Sequence, residues 1–141
     1  MEINRRGITR IVFVFKKVVV KIPNFSYSWS HFLKGLIANI DEGRCWRYNS
    51  GKYEKGKSHL ICPVIWTSWG GWILVMQRAD MKLWEQTVKE HYPEPDDCHD
   101  RAKYQEKLYK TWIEAGFGGD DKDDNYGYLK GKLVKVDYHN N

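Results

Sequence analysis

Hydrophobic residues at the start of the chain are mostly β-branched or aromatic and lie in two short segments. Segment 8–15 (Ile-Thr-Arg-Ile-Val-Phe-Val-Phe) and segment 18–22 (Val-Val-Val-Lys-Ile) therefore predict two strands. Lys16-Lys17 suits a short exposed turn between them. Pro23 is expected to end the second strand, because proline cannot donate a hydrogen bond to a strand ladder.

The period of the hydrophobic pattern changes after Pro23, and segment 28–42 is typical of an amphipathic helix. A serine at its start can cap it, and Gly43 is expected to end it. One apolar face is predicted for this helix, formed by Phe32, Leu33, Leu36, Ile37 and Ile40.

The second half of the chain alternates between strand-like and helix-like patterns. Segments 60–67 and 72–77 predict strands on either side of Gly70-Gly71, a typical hairpin signal. The remaining predicted elements are helices at 81–91 and 97–115 and a small hairpin, 126–129 and 133–136, around Lys130-Gly131. This order predicts an α+β fold with sheet elements first and helices behind them.

Composition restricts the class of protein. A chain of 141 residues has the size of one domain, and 42% hydrophobic and 15% aromatic residues favour a packed core. The net charge of +5 is uneven, because residues 1–57 carry 12 basic and 4 acidic groups and the rest carry 11 and 14. The basic half could face phosphate, nucleic acid or an acidic partner, or simply keep the surface soluble.

Cysteine usage and hydropathy predict a cytoplasmic protein. Three cysteines without tight spacing do not indicate a disulfide scaffold. The longest apolar run, 11–22, contains three lysines, so neither a membrane helix nor the hydrophobic part of a signal peptide is expected.

The C-terminal segment contains the most specific pattern. Residues 120–127 read Asp-Asp-Lys-Asp-Asp-Asn-Tyr-Gly, and Asp137 follows the predicted hairpin. Asp120, Lys122, Asn125 and Asp137-Tyr138-His139 thus resemble the Asp-x-Lys-x-x-Asn catalytic loop and the metal-binding Asp of the protein-kinase-like fold. The resemblance implies that Asp120 orients an acceptor hydroxyl and Lys122 meets the γ-phosphate. It also implies that Asn125 and Asp137 hold Mg²⁺.

The upstream elements occur in the same order as in that family. The resemblance implies that Lys21 binds the α- and β-phosphates of ATP, with Glu42 as its partner on the following helix. It places the adenine contact at Met76 and Gln77, at the end of segment 72–77. The fold implied is a two-lobed kinase-like core, a sheet-plus-helix lobe at 1–77 and a shortened helical lobe at 80–141.

The chain also departs from the family pattern. It has no Gly-x-Gly-x-x-Gly near its start, Gly118-Gly119 precede Asp120 in place of His-Arg, and no glycine follows Asp137-Tyr138. An abbreviated, degenerate kinase-like protein is therefore predicted, one that binds and modulates or inhibits a partner protein. A phage origin, with action in the host cytoplasm, would suit such a protein. The alternative is a minimal phosphotransferase that uses ATP and Mg²⁺.

Aromatic residues provide a further, less specific signal. Trp66, Trp69 and Trp72 surround the predicted hairpin at Gly70-Gly71, and Trp46 precedes a basic loop. Such residues can pack in a core, form a protein interface or stack on the bases of single-stranded nucleic acid. A nucleic-acid-binding protein is thus the second alternative.

Overall fold

The five-stranded antiparallel sheet at the start of the chain organises the fold. The structure is a computed structural model, and it describes residues 1–4, 7–50, 58–82, 86 and 125–138. The described residues form one long helix and two sheets with seven strands in all: β1 (Glu2–Asn4), β2 (Arg10–Val14), β3 (Val18–Pro23), α1 (Trp29–Ser50), β4 (Val64–Thr67), β5 (Leu74–Gln77), β6 (Tyr126–Leu129) and β7 (Lys132–Lys135).

The strand order of the large sheet is β1-β2-β3-β5-β4, and each neighbouring pair is antiparallel. The predicted strands at 8–15, 18–22, 60–67 and 72–77 correspond to β2, β3, β4 and β5, and β3 ends at Pro23 as expected. β4 and β5 are shorter than predicted, since they begin at Val64 and Leu74, and 3₁₀ turns precede them at Ser58–Leu60 and Trp69–Gly71. The strand β1 was not predicted.

Two tight turns follow the glycine signals in the sequence. Gly70 and Gly71 have φ angles of 72° and 76° between β4 and β5, where a Cβ would be strained. Lys130 and Gly131, with φ of 51° and 76°, close the β6–β7 hairpin. The two predicted hairpins at these glycines are confirmed.

The helix α1 lies on the large sheet and is longer than predicted. The prediction that it ends at Gly43 is wrong, since the helix continues to Ser50. Gly43 is instead a place of close packing, because a Cβ there would lie 2.5 Å from Oγ1 of Thr67 on β4. At the other end, the Ser28 hydroxyl accepts a hydrogen bond from the backbone N–H of His31 at 3.3 Å, as expected for a capping serine.

The side of α1 that faces the sheet is also different from the predicted apolar face. Phe32 is buried as expected, but Leu33 and Ile37 are exposed. The buried positions that follow Phe32, as far as Gly43, are small or polar: Gly35, Ala38, Asn39, Glu42 and Gly43. The small residues let the helix backbone approach the sheet closely, and the polar ones find partners there.

The main hydrophobic core joins the large sheet to the β6–β7 hairpin. Its buried members are Ile61, Cys62, Met76, Ala79, Tyr126, Val134 and Tyr138. The architecture is therefore α+β, as the element order predicted. The predicted helices at 81–91 and 97–115 lie outside the described residues, apart from positions 81, 82 and 86. None of the helices in the described ranges has the length and hydropathy that a membrane crossing requires.

Candidate functional site

Four charged side chains from distant parts of the sequence meet beside the large sheet. We call Arg10, Lys21, Glu42 and Asp137 the charged cluster. The ammonium group of Lys21 lies 3.1 and 2.9 Å from the two carboxylate oxygens of Glu42 and 4.0 Å from Oδ1 of Asp137. The guanidinium of Arg10 lies 2.8 Å from Oε1 of Glu42 and 2.5 Å from Oδ1 of Asp137. Each cation is thus close to both carboxylates.

Strand register brings the two cations to one face of the sheet. Lys21 is paired with Val12 across β2 and β3, and Arg10 is two residues before Val12. Directly paired residues point to the same side of a sheet, and side chains alternate along each strand. Arg10 and Lys21 therefore share a face, with Val12 beside them.

The helix α1 positions Glu42 through a stripe of residues at helical spacing. A Cβ on Gly35 would collide with the Thr9 carbonyl oxygen, so only glycine permits this approach of helix to sheet. One turn later, the Asn39 amide donates to the carbonyl oxygens of Lys21 at 3.2 Å and Gly71 at 2.8 Å. Glu42, the next residue of the stripe, then reaches the charged cluster.

The β6–β7 hairpin positions Asp137 through backbone hydrogen bonds. The N–H of Val136 donates to the carbonyl oxygen of Asn125 at 2.7 Å, and the N–H of Cys62 donates to that of Lys135 at 2.8 Å. The carbonyl oxygen of Val136 accepts a hydrogen bond from the Lys21 ammonium at 2.8 Å. Asp137 is consequently held next to Lys21 by the residue that precedes it.

Burial differs within the charged cluster. Glu42 is fully buried and Arg10 and Lys21 are almost so, whereas 34% of the Asp137 side chain is exposed. Burial alone lowers the pKa of Arg10, but the carboxylates of Glu42 and Asp137 outweigh it and raise that pKa above its ordinary value. The cluster thus combines two basic and two acidic side chains.

The predicted site residues fall into three groups. Lys21, Glu42 and Asp137 are brought together. Asn125 lies near them in the chain fold, because its carbonyl oxygen accepts a hydrogen bond from the N–H of Val136, the residue before Asp137. Met76 and Gln77 lie in β5, where Met76 is buried in the core and the N–H of Gln77 donates to the Pro63 carbonyl oxygen at 2.9 Å. The predicted catalytic residues, Asp120 and Lys122, lie outside the described residues.

Arg10 is the member of the charged cluster that sequence reasoning missed. In the sequence it is one of several basic residues near the N-terminus, which favoured a role on the surface. The signal that could have found it is its place in a strand. Arg10 interrupts an otherwise apolar strand and lies on the same face as Val12 and Val14. A charged side chain on an apolar face is expected to be buried, and a buried charge needs a partner of opposite charge.

The resemblance implies a divalent metal at Asp137, and the geometry of the charged cluster tests whether the site fits one. Oδ1 of Asp137 already faces the Arg10 guanidinium and lies 4.0 Å from the Lys21 ammonium. Within the ranges that the structure describes, no three His, Cys, Asp or Glu residues gather as a metal site. As arranged, these residues suit a guanidinium beside Asp137 rather than a divalent cation, which would add two positive charges to a balanced cluster.

A second surface feature lies at the start of α1. We call Phe25, Trp29, Phe32 and Trp72 the aromatic patch. The buried ring of Phe32 is at its centre, with ring centroids 5.0 Å from Phe25, 5.1 Å from Trp29 and 5.5 Å from Trp72. The outer rings are exposed, and Trp29 is 71% exposed. Contacting aromatic side chains at the surface are typical of interaction sites.

No protein-family model and no curated protein matches this chain. The kinase-like resemblance therefore stays a prediction from the motif and the element order. The function has to be argued from the contacts, burial and charges of the charged cluster and of the aromatic patch.

Proposed function

We propose that the chain is a kinase-like protein that binds a nucleoside triphosphate at the charged cluster. The observation that carries the proposal is the convergence of Lys21 with Glu42 and Asp137, at 2.9 and 4.0 Å. Kinases use a strand lysine, paired with a glutamate of the next helix, to bind phosphates, and an aspartate after the catalytic loop lies opposite. The order of elements along this chain, strand β3, helix α1 and then the β6–β7 hairpin, agrees with that arrangement.

An apolar strip next to Lys21 supports binding of a purine ring. In the register of β2 and β3, Val12 is opposite Lys21 and Val14 is opposite Val19. These valines share the face of Lys21 because side chains alternate along a strand. All three valines are only partly buried. A flat apolar ring placed on this strip would have its phosphates directed toward the charged cluster.

Binding of the nucleotide and transfer of its phosphate are separate questions. The proposed binding site uses the charged cluster and the valine strip, whereas transfer would draw on Asp120 and Lys122. We therefore propose nucleotide binding as the function and keep transfer to an acceptor as a consequence to be tested with Asp120→Asn. Loss of transfer with retained nucleotide binding in that variant would indicate an enzyme.

Thermal unfolding with and without ATP tests the proposal. A ligand that binds only the folded state stabilises it by about 2.7 kcal/mol at a concentration 100 times its Kd. We expect ATP to raise the Tm of the wild-type protein and of Lys34→Met, an exposed position on α1. Lys21→Met should abolish the rise. An unchanged Tm in ATP for the wild-type protein, confirmed by the absence of heat in calorimetric titration, would overturn the proposal.

A second candidate function is binding of a partner protein through the aromatic patch, and the exposure of Trp29 favours it. Protein interfaces are enriched in Trp and Tyr, which bury large apolar areas on binding. This function would suit a kinase-like protein that modulates its partner.

Site-specific cross-linking tests the second candidate. A photoreactive residue at position 29 should cross-link to one partner in cells, whereas the same residue at position 130, on the distant hairpin turn, should not. The purified partner should bind the wild-type protein and lose affinity for Trp72→Ala. Equal cross-linking from both positions would contradict a role of the aromatic patch.

A further inference from the structure

Arg10 brings a buried positive charge to Oδ1 of Asp137, the carboxylate to which the resemblance assigns the metal. We propose that Arg10 supplies this positive charge, so that a nucleoside phosphate binds without a divalent metal and takes the place of Asp137 at the guanidinium. The inference rests on the proposed function, because it concerns the same site. It adds the mode of phosphate recognition and a role for a residue outside the predicted motif.

The two ends of the Arg10 guanidinium have different surroundings. One nitrogen faces inward, 2.8 Å from Oε1 of the fully buried Glu42 and 3.4 Å from Oδ1 of Asn39. The other nitrogen faces Asp137, whose side chain is partly exposed. Glu42 and Asn39 therefore fix the guanidinium in place, while its second nitrogen contacts the partly exposed Asp137.

The position of Oδ1 of Asp137 marks where a phosphate oxygen could lie. It is 2.5 Å from the Arg10 guanidinium and 4.0 Å from the Lys21 ammonium. An oxygen of a phosphate at this point would meet both cations at once. Guanidinium nitrogens donate charge-assisted hydrogen bonds to phosphate oxygens as they do to carboxylate oxygens. Exchange of one anion for the other therefore keeps the contacts of Arg10.

The two basic side chains beside Oδ1 of Asp137 favour an anion over a metal ion at this point. Arg10 and Lys21 already offset Glu42 and Asp137, so a divalent cation at Asp137 would have to displace or repel a buried guanidinium. A phosphate that displaces the Asp137 carboxylate leaves the buried pairs with Glu42 intact. The displaced carboxylate can reach water, because its side chain is partly exposed.

Equilibrium binding of ATP and of inorganic tripolyphosphate, each with a chelator or with Mg²⁺, tests the inference. We expect the wild-type protein to bind ATP at least as tightly in chelator as in Mg²⁺. Asp137→Asn removes the competing anion and should bind ATP in chelator at least as tightly as the wild-type protein. Arg10→Gln should weaken binding in chelator about 10-fold or more, because a charged hydrogen bond is lost.

Matched variants separate this effect from unfolding and from general charge. Asp41→Asn, on the same helix as Glu42, and Arg44→Gln, an exposed arginine, change the net charge by the same amounts and should leave binding unchanged. Arg10→Lys keeps the charge but not the guanidinium, and it provides a second readout if Arg10→Gln does not fold. We expect Arg10→Lys to weaken binding in chelator, whereas affinity equal to that of the wild-type protein would overturn the role of the guanidinium.

The outcomes distinguish the inference from the proposed function. Binding of ATP that needs Mg²⁺ and is lost in Asp137→Asn would overturn metal-free binding but leave the nucleotide site standing. Absence of ATP binding under both conditions would overturn the proposed function itself. Tighter binding of tripolyphosphate than of ATP would identify a polyphosphate site, with Arg10 in the same role and without a contribution from the valine strip.

Discussion

The helix α1 presents two regions with opposite relations between polarity and burial. Toward the sheet it buries Asn39 and Glu42, which is fully inaccessible, whereas its first turns expose Trp29 and Leu33. Burial of a charge is unfavourable unless the charge is paired, and exposure of a large aromatic ring forgoes the free energy of burial. Glu42 meets that condition through Arg10 and Lys21, whereas the exposed rings of the first turns leave apolar surface in water.

The two regions also differ in how their parts are held. The charged cluster draws on β2, β3, α1 and the segment after β7, so its geometry depends on the whole described fold. The aromatic patch comes from the start of α1 and nearby turns, and only its central ring is buried. Substitutions in the cluster are consequently expected to change both stability and ligand binding, whereas those at the rim of the patch should change binding alone.

The largest expected effect on stability is at Glu42. Glu42→Ala leaves Arg10 and Lys21 buried without their shared carboxylate, and loss of one partner from a buried ion pair costs about 3–5 kcal/mol. Denaturant unfolding measures this cost, with Lys34→Ala on the exposed side of α1 as the control. A cost similar to that of the control would mean that the buried cations find other partners and that the cluster is not a unit.

A smaller loss is expected from Gly35→Ala, which separates α1 from the sheet. The added Cβ would collide with backbone at Thr9, and overpacking of this kind costs about 1–3 kcal/mol. Gly43→Ala is the matched comparison, because its added Cβ meets the side chain of Thr67, which can rotate. Denaturant unfolding should show a clearly larger loss for Gly35→Ala. Equal losses would mean that the helix can shift without strain.

The hydrogen bond from the Tyr138 hydroxyl to the Cys62 carbonyl oxygen, at 2.9 Å, predicts an effect near 1 kcal/mol for Tyr138→Phe. Burial raises the pKa of Tyr138 above its ordinary value of 10.0, so the folded state favours the neutral phenol. Its contribution is present below pH 10.0 and falls as pH rises further. The difference in unfolding free energy between wild type and Tyr138→Phe should therefore shrink above that pH. A constant difference would contradict the assignment.

The smallest effect on stability is expected at the rim of the aromatic patch. Trp29→Ala should change the free energy of unfolding by less than about 0.5 kcal/mol, since the ring is 71% exposed. Phe32→Ala, at the centre of the same patch, should cost about 3–5 kcal/mol because that ring is buried. Calorimetric unfolding of both variants measures the contrast. A large loss for Trp29→Ala would place this ring in the core and remove the case for a docking surface.

Local signals in the sequence predicted most of the described elements. Dense β-branched residues identified β2 and β3, and Gly70-Gly71 and Lys130-Gly131 identified the two tight turns, because these effects act within a few residues. The predicted end of the helix at Gly43 was wrong because of a tertiary contact. Gly43 is typical of a helix end when local preference decides, but here close packing against Thr67 uses the same lack of a side chain.

The charged cluster was only partly accessible from the sequence. Lys21, Glu42 and Asp137 were singled out through a family pattern, which encodes long-range proximity that periodicity cannot supply. Arg10 belongs to no motif, and its role depends on the register of β2 with β3 and on the segment that follows β7. Arg10 and Asp137 are 127 positions apart in the sequence, so their contact follows only from the assembled fold.

Backbone contacts of the β6–β7 hairpin have a consequence for how this site can change. Asp80 and Tyr128 of β6 exchange two backbone hydrogen bonds, each from an N–H to a carbonyl oxygen, at 2.7 and 3.2 Å. On β7, the carbonyl oxygen of Lys135 accepts a hydrogen bond from the N–H of Cys62. These bonds hold the hairpin without using any member of the charged cluster. The hairpin is therefore expected to keep its place when the partly exposed Asp137 is replaced, whereas replacement of the buried Arg10 or Lys21 also changes the stability of the fold. Because both strands of the hairpin are anchored in this way, the side chain at position 137 can vary without removal of its support.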